Sequence, residues 1–146
     1  MKRLFLLSSI LLFFTIKLTA QQDFEKENIM ILPSSELIIA GSTNVNKFDC
    51  RFNIELIAAQ KKVTYTQQDK VIRFKNLLLS LLTEGFDCGN KRMNSDFQDL
   101  LVCEKYPEIV INVERIELIS PEYQKAFITV KLAGITNQYN FTCSDK

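Results

Sequence analysis

Four cysteines, Cys50, Cys88, Cys103 and Cys143, are the most reactive side chains in this 146-residue chain. An even count suits disulfides in an oxidising compartment, with three connectivities open, and buried free thiols are the alternative. No Cys-x-x-Cys spacing occurs and histidine is absent, so the usual zinc ligands are missing and no metal site is expected. The same absence removes the commonest general base and both the Ser-His-Asp and the Cys-His arrangements. Gly41-Ser42-Thr43-Asn44 lacks the second glycine and the lysine of a phosphate loop, and reads as a turn. Asp87, Asp96 and Asp99 surround a helical segment, where the helix dipole alone accounts for the last two. Paired-carboxylate catalysis needs one carboxyl held in an apolar site, and no pattern here creates one. Asn140-Phe141-Thr142 fits a glycosylation acceptor, which matters only on a eukaryotic secretory route. The chemistry-bearing residues therefore describe a non-enzyme without a cofactor.

The first twenty residues address the chain rather than build it. Lys2 and Arg3 precede an apolar run over 4–16, and Leu18-Thr19-Ala20 offers a small-residue cleavage site before Gln21. This is the layout of a secretory signal peptide, with an apolar run too short for a permanent membrane span. A periplasmic or secreted protein is expected, with no integral membrane segment after cleavage. Residues 21–33 are polar and charged and read as a flexible lead-in, leaving 34–146 as one domain. Eighteen basic and seventeen acidic residues are spread along the chain, for a net charge of +1. Without a basic stripe, nucleic acid is a poor partner.

The elements are mostly strands. Over 48–56, Phe48, Cys50, Phe52, Ile54 and Leu56 alternate with polar residues, the signature of a half-buried antiparallel strand. Residues 36–40, 63–66 and 71–82 are further strand candidates, the last with a leucine cluster that composition alone would also allow in a helix. Met93, Phe97, Leu100 and Leu101 recur at helical spacing, with Ser95 and Gln98 fitting a capping box and Pro107 ending the segment. Alternation returns at Ile109, Ile111 and Val113, at Ala126, Ile128, Val130 and Leu132, and at Tyr139, Phe141 and Cys143. Evenly spaced strands with one apolar side predict an antiparallel barrel or sandwich, and periodicity does not separate a packed interior from an apolar cavity. If 48–66 and 70–88 are the arms of one hairpin turning near Asp69, Cys50 falls opposite Cys88. Facing residues lie ~4.5–5.5 Å apart at their α-carbons, within reach of a disulfide. Cys103 and Cys143 would then pair with each other or stay free.

Two segments look familiar. Gly41-Ser42-Thr43-Asn44-Val45-Asn46-Lys47-Phe48-Asp49-Cys50 resembles the "G-T-S-N-V-H-D-W" stretch of the YceI-like lipid-binding family. Residues 86–97, continuing through Leu100-Leu101 to Lys105-Tyr106-Pro107-Glu108-Ile109, are similar to that family's strand end, short helix and "Y-P-x-I" strand start. Val130-Lys131-Leu132-Ala133-Gly134-Ile135-Thr136 is like its "L-T-I-x-G-V-T" strand. Two departures stand out: Asn46 occupies a position where many relatives have histidine, and the family carries further strands after the third element.

The resemblance implies a mainly β fold, an antiparallel lipocalin-like barrel, incompletely closed given the second departure, with one short helix near 91–103. It also implies a non-catalytic binding protein whose partner is an apolar small molecule, a lipid or isoprenoid, held inside the barrel. If the alternation points inward, the wall consists of Phe52, Ile54, Leu79, Leu81, Ile111, Val113, Ile128 and Val130. The alternative is a structural or protein-interaction module of the cell envelope with a packed interior.

Overall fold

The computed structural model describes residues 23–42 and 47–144. The signal-peptide segment and Thr43 to Asn46 of the first familiar stretch lie outside the described residues. Nine strands and one α-helix follow in the order β1 Glu25–Met30, β2 Ile38–Ser42, β3 Lys47–Phe52, β4 Gln60–Gln68, β5 Val71–Leu82, β6 Phe86–Asp87, α1 Lys91–Leu100, β7 Glu108–Leu118, β8 Tyr123–Leu132 and β9 Ile135–Ser144. Six of them form one antiparallel sheet, β1-β4-β5-β7-β8-β9, and the short strands form a second, β2-β3-β6. Its two outer strands, β1 and β9, do not pair with each other, so the large sheet stays open. Among the described residues the fold is mainly antiparallel β with a single α-helix and an unclosed barrel, as expected.

Local chemistry explains where the strands turn. Gln68 faces Val71 across a two-residue turn at Asp69-Lys70. Asp69 has φ 52°, a left-handed conformation that aspartate tolerates better than most residues. Ala133-Gly134 makes the equivalent turn between β8 and β9, both residues at positive φ. Asn137 lies beyond that turn, within β9 opposite Val130. The leucine cluster of 71–82 is strand throughout, paired along β7 from Val71–Glu117 to Leu82–Glu108.

Several expectations are corrected. Glu25–Met30, inside the supposed flexible lead-in, is a strand laid against β4. Tyr65 fastens it by donating its hydroxyl to the Glu25 carboxylate at 2.8 Å. That bond, reinforced by the acidic neighbours, raises the hydroxyl pKa above 10.0. The alternating run of 48–56 stops being strand at Phe52, and Ile54–Leu56 becomes a 3-10 turn whose Asn53 cap accepts from the Glu55 backbone N–H. One hairpin over 48–88 is therefore two ladders: β4 with β5, and β3 with β6 in the small sheet. The helix begins at Asn90, whose side chain accepts from the Met93 N–H, so Ser95 is inside the helix and not its cap. Its first turn carries no acid, and the dipole argument for Asp96 and Asp99 fails with it.

The core sits where the two sheets and the helix meet. Cys50, Phe52, Leu81, Phe86, Cys88, Phe97, Leu101 and Ile109 form one buried cluster. Phe86 lies between two rings, 4.9 Å from Phe52 and 5.4 Å from Phe97 by centroid, in tilted contacts that suit aromatic quadrupoles. Thr83, buried beside them, donates its hydroxyl to the Pro107 carbonyl, which joins the end of β5 to the start of β7.

Candidate functional site

Pairing register assembles the apolar face of the large sheet. Leu79 faces Ile111, which faces Val130; Leu77 faces Val113, which faces Ile128. Side chains alternate along each strand, so these rows share a side with Leu81, Ile109 and Ala126. No residue of this set is charged. Opposite strand positions carry the polar groups of the other side, where Arg115 lies 3.5 Å from the Phe127 ring centroid and its Nε donates to Glu117 at 3.0 Å.

The expected wall residues divide into three sets. Phe52 and Leu81 are packed inside the core, at 4 % and 0 % exposure, and provide a floor rather than an open wall. Leu79, Ile111, Val113, Ile128 and Val130 are half-buried on the sheet, and of these Ile111 and Val130 touch the core cluster. Ile54 is separated from the others: the 3-10 turn carries it to a cleft on the small sheet. The structure thus brings five of the eight together as an apolar strip of β5, β7 and β8, uncovered by the helix at its far end.

The disulfide joins Cys50 to Cys88, with α-carbons 4.0 Å apart, and Cys103 and Cys143 are free. Arg51 pairs with Asp87 and Phe52 with Phe86 in the ladder, so the facing positions needed for the bridge arise in the small sheet, not in the β4–β5 hairpin. Beside it lies a cleft of about 650 Å³ lined by Glu36, Asp49, Arg51, Asn53, Ile54 and Asp87, among others. Arg51 bonds Glu36 across it at 3.2 Å, both side chains well exposed. The cleft was not anticipated. Part of its polar lining, Asp49, Arg51, Asn53 and Glu55, is the outward half of the alternation over 48–56, and Glu36 and Asp87 join it from elsewhere in the chain. Among the described residues no cluster of three or more potential metal ligands occurs, and no helix is long and apolar enough to cross a membrane.

No family model matches the chain, and no curated protein matches it. Solved structures do. The chain is similar to YceI structures. A YceI protein of Campylobacter jejuni matches at 13 % identity and a TM-score of 0.43, over 88 % of this chain and 60 % of that one. Two of its cysteine variants, one carrying a monobromobimane guest, match at the same identity and TM-score over 89 % and 61 %. The chain thus spans about three-fifths of the length of the YceI chains it matches.

Proposed function

We propose that this is an exported, non-catalytic binding protein that holds an apolar small molecule, a lipid or isoprenoid, against the inner face of the open sheet. The observation that carries the reading is the uncharged strip of Leu79, Ile111, Val113, Ile128 and Val130, half-buried and continuous across three strands. Apolar surface left in water is unfavourable by ~25 cal/mol per Å², so a strip lined up in register favours an apolar occupant. The motif resemblance to YceI-like lipid-binding proteins supports the same class. The disulfide fits an oxidising compartment, and a secretory signal over 1–20 accounts for how the chain would reach it; N-terminal sequencing of exported protein should then begin at Gln21, not Met1.

The test is an organic extract of the purified full-length protein, analysed by mass spectrometry beside titration with an apolar fluorescent probe. A long-chain lipid in the extract is expected. Ile128→Ala should weaken probe binding by roughly tenfold, the order expected for one or two methylenes in an apolar site. An empty extract with no probe binding would overturn the proposal and leave an interaction module with a packed interior.

A further inference from the structure

The outer face of the large sheet, the side away from Ile111 and Val130, gathers cations. One row of facing residues runs Thr66–Arg73–Arg115–Phe127–Asn140 across β4, β5, β7, β8 and β9. The next row on that face sets Val71 opposite Glu117 and Glu117 opposite Lys125. Arg73 and Arg115 are therefore directly opposed like charges, which destabilise a sheet when nothing lies between them. The chain as a whole is nearly neutral, with eighteen basic and seventeen acidic residues, so no excess of basic side chains forces this pair together.

Arg115 is held from two directions. Its guanidinium carbon lies 3.5 Å from the Phe127 ring centroid, and its Nε donates to Glu117 at 3.0 Å, leaving the side chain 29 % exposed. That bond uses one nitrogen, and a guanidinium has two more with which to donate. Lys125 Nζ lies 5.2 Å from the same ring centroid. Arg73 is exposed. Among the described residues the ion pairs are Arg51–Glu36 and Arg115–Glu117, so neither Arg73 nor Lys125 has a carboxylate of its own. Glu114, the other acid of this stretch, accepts from the Thr129 hydroxyl one row away.

Two guanidiniums and an ammonium thus meet around Phe127 on three neighbouring strands, each ~4.8 Å from the next. A carboxylate ligand fills one guanidinium fork in a single plane. A terminal phosphate has three free oxygens in a tetrahedral array, and accepts from both guanidiniums and the ammonium together. We infer that Arg73, Arg115 and Lys125 bind the terminal phosphate of a phosphate monoester on the outer face of the sheet. Seated between the two arginines, the phosphate removes their mutual repulsion. The site lies across the sheet from the apolar strip and does not depend on a lipid being held there. A terminal phosphate occurs both on soluble esters and on lipids, and the test separates these sources.

Nitrogen-labelled full-length protein is titrated with inorganic phosphate, with sodium chloride at matched ionic strength as the reference. Resonances of Arg73, Arg115, Lys125 and Phe127 should move with phosphate and not with chloride. Arg73→Gln should weaken binding by about tenfold, the loss of one charge-assisted hydrogen bond. Arg115→Lys keeps the charge, loses the fork and should weaken it too, whereas Lys131→Gln, two rows away on the same face, should leave it unchanged. Phosphate should also raise the melting temperature of the parent protein. Arg73→Gln should lose that gain yet melt no lower than the parent in chloride, because it removes one of two opposed like charges. Phosphatidylcholine vesicles containing phosphatidic acid present the same group on a lipid. Sedimentation with them, beyond that with phosphatidylcholine alone, assigns a lipid source; phosphate binding without it assigns a soluble ester. Three results would overturn the inference: no phosphate-specific response, full affinity in Arg73→Gln, or equal sedimentation with phosphatidylglycerol, whose diester lacks the third free oxygen.

Discussion

Along β7, Ile109 and Val113 are four residues apart on the same face of the same strand, yet only the first is buried, at 3 % exposure. The same contrast separates Leu81 from Leu79 on β5. Nothing in the strands themselves distinguishes these positions. What differs is the layer above: α1 and the small sheet close over Leu81 and Ile109 through Phe97, Leu101, Phe86 and Phe52, and stop short of Val113 and Ile128. Burial of Leu81 and Ile109 belongs to the lid, whereas in the row of Leu77, Val113 and Ile128 only Leu77 is buried, at 7 % and outside the lid cluster. The lidded end is packed, while Val113 and Ile128 stay half-buried.

Three substitutions test this division, in order of expected effect. Removing the ring that plugs the packed end, Phe97→Ala, should lower unfolding free energy by ~3–5 kcal/mol, seen as an earlier urea midpoint. A loss under about 1 kcal/mol would mean that the helix does not seal the core. Opening the bridge with Cys50→Ala/Cys88→Ala should lose ~3–4 kcal/mol on the chain-entropy model for a separation of 38 residues. Peptide mapping of unreduced protein should first find Cys50 linked to Cys88; a link from either to Cys103 or Cys143 would refute the small-sheet register. At the open end, Val113→Ala should cost about 1 kcal/mol or less, because its methyl groups are only half withdrawn from water. A loss equal to that at Phe97 would show that the two ends are equally packed and erase the contrast.

Much of this was legible from residue types alone. Period-two runs placed β3, β7, β8 and β9, and helical spacing placed α1, because each pattern reflects a face that has to be buried; β5, with its unalternating leucines, was legible only from its β-branched start and flanking turns. The hairpin arithmetic found the Cys50–Cys88 partnership, although the strands carrying it belong to a different ladder; Asn53 interrupts the run and the chain re-enters at Phe86 in nearly the same register. What patterning missed were decisions taken elsewhere in the fold. β1 is a strand because β4 offers an edge and Tyr65 a hydrogen bond, and nothing in Glu25-Lys26-Glu27 announces it. Asn90, rather than Ser95, caps α1 because the helix starts directly after the disulfide, where Cys88 N–H is held by Asn94 Oδ1 at 2.7 Å. Ile54 obeyed the alternation in sequence and left it in space.

A further consequence lies in the broken register of the large sheet. Between Arg73–Arg115 and Leu77–Val113, three residues of β5 oppose one of β7, and Glu114 is the surplus residue against β8. Side chains step in along this line: the Glu114 carboxylate accepts from the Thr129 hydroxyl, and Asn76 Oδ1 accepts from the Thr64 N–H at 3.0 Å. Bulges bend and twist the strands that hold them, so the sheet is creased where β5 and β7 carry their extra residues. From the covered Ile109 to Val113 at the crease is four residues, about 14 Å of straight trough. For the apolar ligand proposed above, the crease would act as a ruler: a molecule shorter than this distance would lie flat between lid and fold line, and a longer one would have to bend where the sheet bends.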